Sequence, residues 1–300
     1  MRAPGSLVTA AERELRDRVA VAAARVLPEI ASAPPASVRV EPLAGGVGER
    51  TYRLSLARRS WAVRVARAQP SGALDLAAES AVASAAAADG LAPAVIGIDA
   101  GAGVLVTEYL SKARPLTPAL ARRAENIDRL AALLRRLHKL RPQVRRFEPE
   151  RFAAEYLAAL GGTAKLSTRD RARGAELERL ARAYAARHPC VALCHNDLVA
   201  SNVLDDGRLR LVDFEYAVSA APVLDLAGLA GLNGYEAGER WRLAEAYYAD
   251  APVPFTPAEL DDVVRLVRLL GYFWALAAAR SASNADSYLE FAAEASTWLS

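Results

Sequence analysis

The sequence predicts an α+β chain folded as two lobes, and three observations carry that prediction. Short β-rich runs crowd the segment from Val38 to Val65, helical stripes with apolar residues three and four apart dominate beyond Tyr109, and one β-rich island, Ser201 to Phe214, interrupts those helices. The expected architecture is a small antiparallel sheet with one inserted helix, ahead of a mainly helical lobe that carries a hairpin. Residues 1–108 make up the first lobe in this reading, and residues 109–300 the second.

Each element has its own signal. Thr9-Ala10-Ala11-Glu12 has capping-box spacing, and Leu15, Val19, Ala22 and Val26 follow on one helical face, which predicts a leading helix over about 9–27 that ends near Pro28. Ser32 to Pro35 is a breaker cluster, after which Val38 to Leu43, Thr51 to Leu56 and Trp61 to Val65 read as consecutive antiparallel strands. An alanine-rich helix is predicted from Ala73 to Asp89, stopped by Gly90, with strands from Val95 to Ile98 and from Val104 to Glu108 behind it. A helix opening near Ala124 carries the stripe Ile127, Leu130, Leu134, Leu137 and Leu140. In the island, Asn202-Val203-Leu204 and Leu209 to Phe214 flank the turn Asp205-Asp206-Gly207-Arg208, the pattern of a hairpin. Thr256-Pro257-Ala258-Glu259 supplies an N-cap, a first-turn proline and a capping glutamate for a helix running through Trp274 to about Arg280.

Composition narrows the function classes. With 53% hydrophobic and 24% charged residues over 300 positions, the chain is neither disordered nor fibrous. Lys plus Arg number 38 against 35 Asp plus Glu, a net +3, too even a balance for a protein that lives on nucleic acid or anionic membrane. No apolar stretch approaches the roughly 18–20 residues that cross a bilayer, no secretory leader is evident, and two cysteines, Cys190 and Cys194, cannot staple a chain of this size. A reducing, cytoplasmic setting is expected, with both cysteines as packing residues. His138, alone on an apolar helix face, reads as structural.

The chemistry concentrates in one region. In Leu193-Cys194-His195-Asn196-Asp197-Leu198-Val199-Ala200-Ser201-Asn202 an aspartate precedes an asparagine by five residues, just ahead of the hairpin, with the spacing of a kinase catalytic loop. Eleven residues after Asn202 comes Asp213-Phe214-Glu215. Asp197 can accept the proton of an attacking hydroxyl, while Asn202 and Asp213 offer hard oxygen ligands to magnesium. Taken alone, Asp213 would read as a strand-end turn residue. Upstream, Gly45, Gly46 and Gly48 lie between two predicted strands, where backbone N–H groups can approach phosphates; an ordinary hairpin loop is the plainer reading. The order of these motifs along the chain favours the phosphate cradle.

From Val38 to about Arg280 the sequence resembles the aminoglycoside phosphotransferase and choline kinase superfamily. His195 to Leu204, Leu211-Val212-Asp213-Phe214-Glu215-Tyr216-Ala217 and Asp225-Leu226-Ala227 look nearest to its choline and small-amine kinase branch. The resemblance implies a protein-kinase-like fold, ATP and Mg²⁺ as cofactors, Asp197 as catalytic base, Asn202 and Asp213 as metal ligands, and His195 and Asp225 as supports of the catalytic loop. It implies Arg64, in Trp61-Ala62-Val63-Arg64-Val65, as a contact to the α/β-phosphates and Glu79 as its partner. Their plainer readings are a solvated strand residue and a surface glutamate. Thr107-Glu108-Tyr109-Leu110 looks like the hinge, where Glu108 and Tyr109 would bring backbone groups to adenine.

For the acceptor, a cationic amine needs a carboxylate and aromatic faces. Asp197 together with Glu215, Tyr216 and Trp274 supplies them, so the expected substrate is a small amino alcohol of the choline, ethanolamine or thiamine kind. Where choline kinases often place a second tryptophan, this chain has Ala277, and Trp274 equally fits a core position. The alternative acceptor is an aminoglycoside, served by Glu236, Glu239, Glu245, Asp250, Glu259, Asp261 and Asp262, residues that also suit solvated helix faces. A nucleotide-binding pseudokinase is less favoured, because Asp197, Asn202 and Asp213 are all present. A purely helical scaffold predicts no such coincidence of motifs.

Overall fold

The computed structural model describes residues 10–43, 51–65, 75–249, 251–280 and 284–299. The leading helix α1, Ala10–Ala24, is followed by a one-turn helix α2, Pro28–Ala31. It stops short of the expected position 27 because Leu27, placed before Pro28, is held extended (φ −113°, ψ 98°) by the proline ring. Thr9, the expected cap, lies outside the described residues. The buried face runs through Val19, Ala23, Leu27 and Ile30, with Ala22 and Val26 at its margin.

Five strands then form one antiparallel sheet: β1 Val38–Pro42, β2 Thr51–Leu56, β3 Arg59–Val65, β4 Val95–Asp99 and β5 Val104–Glu108, in the order β1-β2-β3-β5-β4. Strand alternation decides what each face does. Tyr52, Leu54, Trp61, Val63, Val104 and Val106 bury against α1, forming a small core of their own. The turn after α1 approaches so closely that a Cβ on Gly97 would stand 2.6 Å from Val26, so a side chain on β4 there would force the turn aside. Arg64, one residue beyond Val63, therefore points to the opposite face. Helix α3, Leu76–Ala88, covers that face, with the Asp75 side chain accepting from the Ala78 amide at 2.9 Å as its N-cap. Its Val82, Ala83 and Ala86 belong to the larger core, together with Leu91 and Ala92.

The remaining elements are β6 Arg114–Pro115, α4 Pro118–Ala121, α5 Ala124–Leu137, α6 Pro149–Ala159, α7 Thr168–Arg187, β7 Ala192–Cys194, β8 Val203–Asp205, β9 Leu209–Leu211, β10 Val218–Ala220, α8 Val223–Leu232, α9 Ala237–Tyr248, α10 Pro257–Ala279 and α11 Ala285–Thr297. The expected stripe of α5 is buried from Ile127 to Leu137. Helix α8 is buried along nearly its whole length and lies against α10, where a Cβ on Gly231 would come 3.3 Å from Val264. The capping box at Thr256 and Glu259 opens α10. No helix among the described residues is long and apolar enough to cross a membrane.

The β-rich island is a hairpin, β8 against β9, with Val203 opposite Leu211. Its second strand is shorter than expected, ending at Leu211 and not Phe214, because Asp213 turns the chain away with φ 65°. Two short pairings went unread in the sequence. β6 joins β8, and β10 joins β7 with Val218 opposite Cys194. Strands of two or three residues carry too little alternation to be read.

Candidate active site

The loop that follows β7 is held from beneath by one carboxylate. Asp225, in the first turn of α8 and wholly buried, accepts from the His195 amide and from the Asn196 amide, each at 2.8 Å, and lies 3.1 Å from His138 Nε2. The other ring nitrogen of His138 is 2.7 Å from the Tyr247 hydroxyl, so a buried chain runs from α9 through α5 to the loop. His195 Nε2 lies 2.9 Å from the Val212 carbonyl, which makes it the protonated nitrogen, and burial holds the ring below its ordinary pKa. Asn233 acts on the other side: its Oδ1 accepts from Ala200 N at 2.7 Å, and its Nδ2 donates to the Leu198 and Leu229 carbonyls at 2.8 and 2.7 Å.

Between these anchors stands Asp197. Asn202 Nδ2 donates to the Asp197 carboxylate and to its backbone carbonyl, both at 2.9 Å. Burial, reinforced by the negative charges of Asp213 and Glu215, pushes the Asp197 carboxyl up to about 7, against the opposing hydrogen bond from Asn202. A carboxylate poised there takes a proton near neutral pH. Because the amide hydrogens of Asn202 face Asp197, its carbonyl oxygen is left for another partner. That oxygen and the Asp213 carboxylate are hard oxygen donors of the kind that could hold Mg²⁺. Asp213 (φ 65°) and Asn196 (φ 62°) both sit in the left-handed region without being glycine, strained backbone of the kind that clusters at working sites.

Arg64 reaches this region from the sheet. Buried at 8% exposure, its guanidinium is hydrogen-bonded to Glu79 of α3 and donates through Nη1 to Glu215 at 2.8 Å. The structure thus gathers Asp197, Asn202, Asp213, Glu215, Arg64 and Glu79 into one constellation. Glu108 and Tyr109 are placed at the end of β5. The Glu108 amide is taken by the Ala94 carbonyl at 2.8 Å, its side chain is exposed, and Tyr109 lies under the Arg53 guanidinium at 4.7 Å. Gly45, Gly46 and Gly48 fall outside the described residues.

Beside Glu215, the Tyr216 ring stands 6.4 Å from Trp274, nearly perpendicular to it at 87°. Trp274 is partly buried and meets two further rings that sequence reasoning did not single out, Tyr288 at 5.4 Å and Phe291 at 5.9 Å, both on α11. Their only signal was the i, i+3 spacing of two aromatics on the last helix. Asn233 and Tyr247 were missed too, since single polar residues in apolar helices carry no motif.

The family model of the phosphotransferase enzyme family matches residues 39–262. No curated protein matches the sequence. Among solved structures, the fold is similar to choline kinase LicA from Streptococcus pneumoniae, at 19% identity and a TM-score of 0.78 over 95% of this chain and 99% of that one. It is similar to a choline/ethanolamine kinase family protein from Mesorhizobium loti, at 25% identity and a TM-score of 0.70 over 95% and 94% of the two chains. A spectinomycin phosphotransferase in complex with ADP and spectinomycin aligns with a TM-score of 0.57 at 13% identity, over 85% of this chain and 88% of that one.

Proposed function

The chain belongs to the phosphotransferase enzyme family, and from that premise we propose that it moves the γ-phosphoryl group of ATP to the hydroxyl of a small amino alcohol of the choline, ethanolamine or thiamine kind. The observation that carries this reading is Asp197: deep beside two other carboxylates, oriented by Asn202, and ready to accept a proton near pH 7.

In this reading Asp197 aligns the acceptor hydroxyl and takes its proton as the acceptor oxygen bonds to the γ-phosphorus. The bond from that phosphorus to the β–γ bridging oxygen breaks, and ADP leaves. Asn202 and Asp213 would hold Mg²⁺, which when bound neutralises phosphate charge and steadies the leaving group. Arg64 presents a permanently charged, forked donor to the nucleotide phosphates, and Glu79 fixes its direction. Asp225 and Asn233 keep the loop in register, which matters because catalysis here is chiefly positioning and charge stabilisation.

Two features favour a compact cationic acceptor. The negative charges of Asp213 and Glu215 act on Asp197 while the Arg64 guanidinium is held by Glu79 and Glu215, and Tyr216, next to Glu215 in the chain, stands nearly perpendicular to Trp274. Several of the carboxylates that would serve an aminoglycoside are engaged elsewhere. Glu236 and Glu239 pair with Arg122, Glu259 with Arg187 and Asp261 with Arg240. The test is incubation with Mg·ATP and a panel of choline, ethanolamine, thiamine, other amino alcohols and aminoglycosides, following ADP release and product mass. A phosphorylated amino alcohol is expected; phosphorylation of an aminoglycoside alone would replace the acceptor assignment.

A further inference from the structure

Arg64 is claimed by two carboxylates, and they are not equivalent. Glu79 projects from a regular helix and its side chain is 3% exposed, so it has nowhere else to go. Glu215 sits in the connecting segment between Asp213 and β10, with its side chain 12% exposed. Its neighbour Tyr216 abuts Trp274, while its charge is felt at Asp197. Glu215 thus stands at the junction of the phosphate side and the acceptor side of the cleft. The Arg64 Nε is buried with no hydrogen-bond partner among the described residues, which leaves the guanidinium one more donor for an incoming anion.

One guanidinium with two carboxylates carries a net negative charge. Phosphate oxygens cannot join that trio intact without like-charge repulsion in a region of low dielectric, so one carboxylate must yield. Resting on the functional reading above, we infer that Glu215 is a positioning residue that couples the two substrates: nucleotide phosphates draw on Arg64, the Arg64–Glu215 pair loosens, and the carboxylate turns to the cationic acceptor. Nucleotide binding thereby prepares the acceptor seat. By thermodynamic reciprocity the acceptor strengthens nucleotide binding by the same factor.

The test is calorimetric titration of the full chain with Mg²⁺ and a non-hydrolysable ATP analogue, with choline, and with each in the presence of the other. Wild type, Glu215→Gln and Glu215→Asp are compared, and a melting curve confirms that each variant folds. In the wild type, saturating nucleotide should tighten choline binding about tenfold, and choline should tighten nucleotide binding equally. Both variants should bring that factor to about one and should bind nucleotide alone several-fold more tightly, because Arg64 is no longer shared. Glu215→Asp keeps the charge and shortens the reach, so its agreement with Glu215→Gln separates a broken contact from a general field effect. An unchanged coupling factor in Glu215→Gln, or nucleotide binding alone that is unchanged or weaker in both variants, overturns the inference. The titrations are repeated with ethanolamine and thiamine; if none of the three binds in any state, the acceptor assignment fails, while nucleotide binding alone that is unchanged or weaker in both variants still overturns the role of Glu215.

Discussion

Asn202 gives its amide hydrogens to Asp197, one interaction with the carboxylate and one with the backbone carbonyl, each at 2.9 Å. One side chain thereby orients the proton acceptor while turning its own oxygen outward. In Asp197→Asn the loop geometry should survive and kcat should fall by about a hundred- to ten-thousand-fold, the range for loss of a positioned general base. Nucleotide affinity, measured by calorimetry, should stay within a few-fold of wild type. Near-normal turnover would remove Asp197 from the base role.

The raised pKa of Asp197 has a consequence for stability. Its carboxyl lies at about 7 in the folded, ligand-free chain against an ordinary 3.8, so between those values the folded form binds more protons than the unfolded one. The contribution of this group is therefore fully present at the acid end and is lost as pH rises through about 7. Ligand-free Asp197→Asn should melt several degrees above wild type at pH 8, with the gap closing towards pH 5. A gap that does not change with pH would contradict this electrostatic account.

Asp225 carries more hydrogen bonds than any mutation could leave satisfied. Replacing it with alanine strands the His195 and Asn196 amides and the inner nitrogen of His138 in a buried region, at a cost of about 3–5 kcal/mol. The melting temperature should drop on the order of 10 °C. A variant that melts within a degree or two of wild type would show the network to be dispensable.

Asn233 offers a milder probe of the same loop. Asn233→Ala removes the acceptor for Ala200 N and the donors to two carbonyls, a loss of about 2–4 kcal/mol. Amide exchange should rise at residues 198–202 ahead of the rest of the chain, and kcat should fall more than the KM for nucleotide rises. Uniform protection across the loop would refute a local anchoring role.

Tyr288 tests the aromatic wall. Packed 5.4 Å from Trp274, it should, as Tyr288→Leu, raise the KM for an amino alcohol about three- to thirtyfold, the range of one cation–π contact, and leave the KM for ATP unchanged. A rise in both would point to general loosening of α11.

What the sequence disclosed follows from how local its signals are. The paired spacing of Asp197, Asn202 and Asp213, the β-rich runs of β2 and β3 and the Thr256 capping box are written in neighbouring residues, and each was legible. The strands β7 and β10 were not, being three residues long and stabilised by a partner some two dozen positions away. The same distance hid the link from Arg64 to Glu215, separated by 151 residues, and the arrival of Tyr288 beside Trp274. Ala277 read as a gap in the aromatic wall because the neighbouring rings come from a different helix.

Helix α3 is fastened on two sides, by Glu79 to Arg64 and by Val82, Ala83 and Ala86 to the larger core. Swinging it outward would expose all three apolar residues, at about 1.5–3 kcal/mol for the valine alone, and would strand a buried guanidinium. Such a helix is a poor lever for an on–off signal.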